Sequence, residues 1–140
     1  MKYLFLLFLS FSSTITLAHG EDKPGPNKGF IRMPGAYHVE LVPINKRELR
    51  VYLLDISWKN PSTKDASVEI THVLKSKKTK LICKSEKLEF FDCITPSKID
   101  LTKKAKLIVN SKRESQVGNE VSYDLPLKLE NIDDGHGGKH

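Results

Sequence analysis

The sequence predicts an all-β protein folded as a sandwich of two sheets, and two observations lead to that prediction. Short runs of alternating apolar and polar residues recur along the chain with turn residues between them, as in sandwiches and barrels. No window of a dozen residues shows a convincing helical period of 3.6. The chain has 140 residues, 39% hydrophobic and 29% charged, which fits one folded domain and excludes a large multidomain enzyme.

Each predicted strand is defined by its alternation and its flanking turns. Residues 48–56 are apolar on both faces, which indicates a central strand. Pro126 interrupts the hydrogen-bonding pattern of the last strand and therefore favours an edge position. His72 shares a face with Val68 and Ile70 and is expected at the edge of the core. The predicted strands are residues 37–42, 48–56, 67–74, 79–83, 88–93, 105–111 and 121–129. We therefore expect residues 30–129 to form an immunoglobulin-like sandwich of seven to eight strands.

The first eighteen residues have the composition of a secretory signal peptide. Lys2 supplies a basic start, residues 3–11 are almost wholly apolar, and the stretch ends at Ala18. The alternative is an uncleaved membrane anchor, but the apolar run is shorter than the roughly 20 residues that a membrane span needs. We expect cleavage after Ala18, no stable membrane insertion, and a periplasmic or secreted protein. A Pro/Gly-rich leader, residues 19–29, then precedes the sandwich.

The net charge is +6, and it is unevenly distributed. Residues 59–113 hold 14 basic and 6 acidic side chains, whereas residues 114–140 hold 2 basic and 6 acidic ones. A basic segment can bind nucleic acid or anionic lipid. Here the lysines are scattered through alternating strands without interleaved aromatic residues or arginine clusters. We interpret them as a solvated face and expect no nucleic-acid partner.

The two cysteines, Cys83 and Cys93, are predicted to form a disulfide. An even cysteine count in an exported chain favours pairing, and the flanking residues resemble neighbouring strands around a polar turn. The alternative is a pair of thiolate metal ligands, but the close C-x-x-C spacing is absent.

The sequence also lacks the usual nucleophile-elbow, zinc-protease and phosphate-loop motifs, so we expect no enzyme.

Four histidines are candidate metal ligands: His19, His38, His136 and His140. Cleavage after Ala18 would leave His19 with a free amine and an imidazole, a chelating pair that suits Cu(II). Glu21, Asp22 and His38 are its candidate companions, and the alternative is an incidental histidine in a leader. His136 and His140 lie in a polar, Gly-rich tail, residues 130–140, where imidazoles can converge on copper or zinc. That tail can equally be a solvated chain end.

A family resemblance is carried by Gly25-Pro26-Asn27-Lys28-Gly29 together with the strands that contain His38-Val39-Glu40-Leu41 and Leu54-Asp55. This pattern resembles the small periplasmic domain that occurs alone or before the adaptor (membrane-fusion) subunit of heavy-metal efflux systems. The resemblance implies a β-sandwich and the handling of copper, zinc or cobalt. Asn27 and Lys28 stand where the family has His and Gly. Either the metal site has moved to His19, His38 and the tail, or metal binding has been lost.

These observations define two leading hypotheses. The first is an exported binding module that chelates a transition metal, with copper preferred, and passes it to an efflux or delivery system. The second is a structural or interaction domain that docks an envelope protein through a strand edge, with incidental histidines. An oxidative copper enzyme built on His19 is a more distant third.

Overall fold

The computed structural model describes residues 23–85 and 87–128. The predicted signal peptide and the predicted ligands His19, His136 and His140 lie outside these residues, as does the tail. The described residues form no helix long and apolar enough to cross a membrane.

Within the described residues, ten strand segments form two antiparallel sheets of five strands, which confirms the all-β prediction. The predicted number of seven to eight strands is too low, because the short strands β1 and β9 add pairing at the margins of the sheets and the chain around Leu81 is divided into β5 and β6. The strands are β1 (Phe30–Arg32), β2 (His38–Asn45), β3 (Glu48–Leu54), β4 (Ser67–Leu74), β5 (Lys77–Lys80), β6 (Ile82–Lys84), β7 (Phe91–Ile94), β8 (Ala105–Arg113), β9 (Gln116–Val117) and β10 (Val121–Leu125). Sheet A has the order β1-β2-β3-β7-β6, and sheet B has the order β10-β8-β4-β5, with β9 paired to β8. The predicted central strand, β3, lies between β2 and β7, and the predicted edge strand, β10, lies at an edge.

One hydrophobic core is shared by the two sheets. Its fully buried side chains come from alternate positions of the strands, as in Val39 and Leu41 of β2 and Leu107 and Val109 of β8. Buried hydroxyls also connect the sheets, since Tyr123 donates to the carbonyl oxygen of Val39 at 3.0 Å. The two sheets therefore pack face to face, and the loops that join their strands lie at the two ends of the sandwich.

The chain crosses from sheet B to sheet A at Leu81, which is buried between β5 and β6. The prediction of one continuous strand over residues 79–83 is wrong at this point, because Leu81 enters the core and the chain then pairs with a different sheet.

The predicted disulfide is confirmed. Cys83 and Cys93 lie directly opposite one another in the β6–β7 hairpin and are bonded.

Candidate functional site

His38 is buried, and both of its ring nitrogens are hydrogen-bonded within the fold. Trp58 Nε1 donates to His38 Nε2 at 3.2 Å, and His38 Nδ1 lies 3.1 Å from the carbonyl oxygen of Asp55. Because the indole N–H can only donate, Nε2 is the acceptor and Nδ1 carries the proton. A metal at His38 would have to displace one of these bonds.

The loop that carries Trp58 is organised by the carboxylate of Asp55. This carboxylate accepts hydrogen bonds from the backbone N–H groups of Lys59 and Ser57 and from the side chain of Asn60. The bond from Lys59, followed by those from Asn60 and Ser57, lowers the pKa of Asp55. At neutral pH the ionised carboxylate therefore holds the loop in the turn that places Trp58 over His38.

Glu40 gives the Gly-Pro-Asn-Lys-Gly segment a structural role. Its fully buried carboxylate accepts hydrogen bonds from the backbone N–H groups of Asn27 and Gly29 and from the Asn27 side chain, each at 2.9 Å. A Cβ added at Gly25 would overlap Glu40 Oε1, and one at Gly29 would overlap the carbonyl oxygen of Leu41. Gly25, Gly29 and Glu40, which carry the family resemblance, thus fasten part of the predicted leader to the outer face of β2.

Of the four predicted metal ligands, His38 lies within the described residues, and His19, His136 and His140 lie outside them. Within residues 23–85 and 87–128, no three His, Cys, Asp or Glu side chains are placed to hold a metal ion. His38 lies at the end of the molecule where Arg113 donates to the carbonyl oxygen of Leu53. β10 runs to Leu125, opposite Ala105 at the other end, and His136 and His140 follow in sequence outside the described residues.

A cavity of about 220 Å³ lies at that remote end. It is bounded by the last residues of β4, by β5 and by the loop of residues 95–104 that joins β7 to β8. Its walls are His72, Leu74, Thr79 and Ile99. Four exposed lysines also line it: Lys77, Lys98, Lys103 and Lys104.

His72 is the buried polar group of this cavity. The residue is 6% exposed, and its ring, which makes no hydrogen bond to the described part of the chain, is not fully shut off from solvent at its nitrogen atoms. Removal from water lowers the pKa of His72, so the ring is neutral at neutral pH and offers one donor and one acceptor nitrogen. The prediction that His72 lies at the core edge is confirmed, and the cavity next to it is the new observation.

The loop over the cavity is anchored at several points. Leu101 is buried in the core, and its backbone N–H donates to the carbonyl oxygen of Lys46 at 2.8 Å. Thr95 donates through its N–H to the carbonyl oxygen of Arg47 and through its hydroxyl to that of Ile99. These bonds hold Ile99 in the wall, so this side of the cavity is formed before any ligand binds.

The electrostatics of the cavity are strongly positive. The four lysines have no carboxylate partner within ion-pair distance in residues 23–85 and 87–128, where Lys80 and Lys106 do have one. Asp100 is the acidic residue of the lining. Its carboxylate accepts from the hydroxyl and the N–H of Thr102, and these bonds lower its pKa, so it is ionised. Four cations therefore face one anion.

Sequence reasoning missed this cavity because it interpreted the lysines as a solvated face. Lys77 is distant in sequence from Lys98, Lys103 and Lys104, and the path of the 95–104 loop brings the two segments together. The available signal was the pair Ile99 and Leu101, two apolar residues in an otherwise polar connection.

Comparison with known proteins adds no homologue: no family model, curated protein or solved structure matches this chain.

Proposed function

We propose that this protein is an exported, non-catalytic binding module whose ligand occupies the cavity beside His72. The observation that carries the proposal is the cavity of about 220 Å³ itself, which combines the aliphatic side chains of Leu74 and Ile99 with the ring of His72 and with exposed lysines. A concave site with apolar walls and a few polar groups is the usual form of a small-molecule binding site. The Cys83–Cys93 disulfide favours an oxidising compartment and thus supports the export predicted from residues 1–18.

The strand order supports an immunoglobulin-like topology for this module. Strands β2-β3-β7-β6 follow one another in space as A-B-E-D do in that fold, and β10-β8-β4-β5 follow one another as G-F-C-C′. The disulfide differs from the usual one, because it joins two neighbouring strands of one sheet. With that assignment, the cavity lies beneath the connection between strands E and F.

The proposal that the cavity holds a ligand can be tested by native mass spectrometry. The protein is expressed from the full-length gene and released gently from the cells, so that a bound small molecule is retained. Thr79→Phe places a ring in the cavity, and Thr71→Phe is the matched control on the opposite face of sheet B. We expect a small-molecule adduct on the wild type and on the control, and its loss in Thr79→Phe. Identical spectra for the wild type and Thr79→Phe would contradict the proposal.

Metal chelation is the second candidate function, and the position of His19 directly after Ala18 favours it. Because both nitrogens of His38 are engaged, this candidate rests on the amine and ring of His19 and on His136 and His140 in the tail. It keeps the resemblance to the efflux-associated domain, with copper or zinc as the metal and an efflux-system protein as the recipient.

Calorimetric titration of Cu(II) and Zn(II) into processed protein tests this second candidate. One residue added ahead of His19 should weaken copper binding by at least tenfold if the free amine is a ligand. His136→Gln/His140→Gln should abolish binding if the tail holds the metal, and His38→Gln reports whether the buried histidine contributes. Equal binding by all variants would exclude these histidines as the site.

A further inference from the structure

We propose that the ligand of the His72 cavity is a small organic anion that joins one anionic group to an apolar body. This inference rests on the proposed function and specifies the chemistry of its site. It comes from three properties of the cavity: its size, its apolar walls and the charge of its lining.

The size and walls define the apolar body. An enclosed cavity of about 150 Å³ lined by apolar side chains binds benzene, and the roughly 220 Å³ of this cavity, which is partly open to solvent, gives room for a phenyl ring with a short substituent. Leu74 and Ile99 supply aliphatic surface. The stems of the lysines add methylene groups while their ammonium groups remain in water. An inorganic ion would leave this apolar surface uncovered.

The charges define the anionic group. Lys77, Lys98, Lys103 and Lys104 come from two separate segments of the chain and line the same cavity, without a carboxylate partner in the described residues. Asp100 offsets one of the four charges: Thr102 donates twice to its Oδ1, and Lys103 and Lys46 attract the carboxylate at longer range. A ligand with a carboxylate at the mouth would be attracted by the three charges in excess. His72 provides a hydrogen bond inside.

The test compares three chemically matched probes by ¹H–¹⁵N NMR titration of the intact protein at low salt. Phenylacetate has the anion and the ring, phenylacetamide has the ring without the charge, and acetate has the charge without the ring. We expect phenylacetate to shift the amide signals of His72 and Thr79 saturably, phenylacetamide to bind at least tenfold more weakly, and acetate not to saturate.

Variants then locate the charge effect. Lys98→Gln/Lys103→Gln should weaken phenylacetate binding by about tenfold and leave phenylacetamide binding unchanged. Lys84→Gln is the control, because this lysine lies on β6 in the other sheet. It should change neither affinity, and folding of each variant is verified by its amide spectrum.

Three results would overturn the assignment. Equal affinity for phenylacetate and phenylacetamide would show a cavity that ignores charge, which removes the anion but leaves the binding module intact. The same loss of affinity in Lys84→Gln as in the double variant would show that the net charge of the protein, and not the position of the lysines, sets the affinity. Shifts confined to residues away from His72 and Thr79, or no saturable binding of phenylacetate, would exclude this ligand class. The adduct experiment on Thr79→Phe tests the binding function separately.

Discussion

Gly25 has no room for a side chain, and Gly35 provides a matched comparison. A Cβ at Gly25 would overlap Glu40 Oε1 and the side chain of Ile31, whereas a Cβ at Gly35 would meet no atom within 4 Å. We expect Gly25→Ala to lower the free energy of unfolding by about 1–3 kcal/mol through overpacking. Gly35→Ala should be neutral, or stabilise by up to about 1 kcal/mol, because it restricts the unfolded chain. Urea denaturation measures both, and equal effects would show that the segment is not clamped on Glu40.

His72 makes a predictable contribution to the pH dependence of stability. Desolvation lowers its pKa in the folded protein, while the unfolded chain keeps the ordinary value of about 6.5. As the pH falls through 6.5, the unfolded state therefore binds the proton first, and the free energy of unfolding decreases until the folded pKa is passed. Lys77, Lys98, Lys103 and Lys104 act in the same direction, and ionised Asp100 opposes them.

The comparison between wild type and His72→Leu isolates this contribution. The free energy of unfolding is measured by urea titration between pH 7.5 and 5, and the wild-type value should fall more steeply with acid than that of the variant. Lys84→Gln, remote from the cavity, should keep the wild-type slope. Parallel curves for wild type and His72→Leu would contradict the assigned desolvation.

The β6–β7 hairpin is the element whose stability depends on a covalent bond. β6 has three residues and β7 has four, too few for an independent hairpin. The disulfide closes a loop with a sequence separation of 10, for which the chain-entropy model gives about 2–3 kcal/mol. Reduction should therefore lower the free energy of unfolding by about that amount, measured as urea midpoints with and without reductant. In Cys83→Ala/Cys93→Ala the reductant should have no effect, and a wild type equally insensitive to reduction would contradict the estimate.

At the scale of elements, local pattern predicts the strands but not which sheet they join. The apolar faces of 48–56 correctly predict a central strand, because they are a local consequence of burial. β10 is an edge strand as predicted, but it ends at Leu125, so Pro126 follows the strand and does not lie within it as expected. The break at Leu81 is not predictable in this way. Alternation looks the same on either side of a crossing between sheets, and the crossing depends on pairing partners distant in sequence.

The same limit applies to the candidate site. The sequence identifies His72 as a core-edge residue, since its neighbours on the strand define its face. It does not identify the cavity, because Lys98, Ile99 and Lys103 reach β4 and β5 only through the anchoring of Thr95 and Leu101 against the β2–β3 turn. These are contacts between distant segments, and no local period encodes them.

At the scale of the whole molecule, the two ends differ in how their buried histidines are satisfied. His38 is capped by Trp58 and by the Asp55 carbonyl, and the loop above it is fixed by the Asp55 carboxylate. His72, at the other end, has a cavity where His38 has an indole. The first end is therefore closed by the protein's own side chains, and the second is the end suited to a ligand.

Acidic residues follow β10 in the sequence, and their effect on ligand affinity can be tested. β10 ends at Leu125 beside Ala105, and the sequence continues to Glu130, Asp133 and Asp134. We predict that the carboxylates of these three residues compete with an anionic ligand for the four lysines at low ionic strength, and that high salt screens this competition. Glu130→Gln/Asp133→Asn/Asp134→Asn should therefore tighten phenylacetate binding by roughly twofold to fivefold in 10 mM salt and leave it unchanged in 0.5 M salt.

A second triple variant controls for net charge in that experiment. Asp65→Asn/Glu114→Gln/Glu120→Gln removes the same number of carboxylates from exposed positions near the end that holds His38. Its effect on phenylacetate affinity at low salt should be clearly smaller, because Asp65 and Glu114 lie about a strand length, roughly 25 Å, from the cavity, and Glu120, which precedes the Val121–Val109 pair, lies roughly half that distance away. Equal gains from the two triple variants would mean that the net charge of the protein, rather than the position of the tail, sets the affinity. If the tail variant gains no affinity, its carboxylates do not reach the cavity. The difference in affinity between the two triple variants measures how strongly the tail competes with the ligand for the lysines.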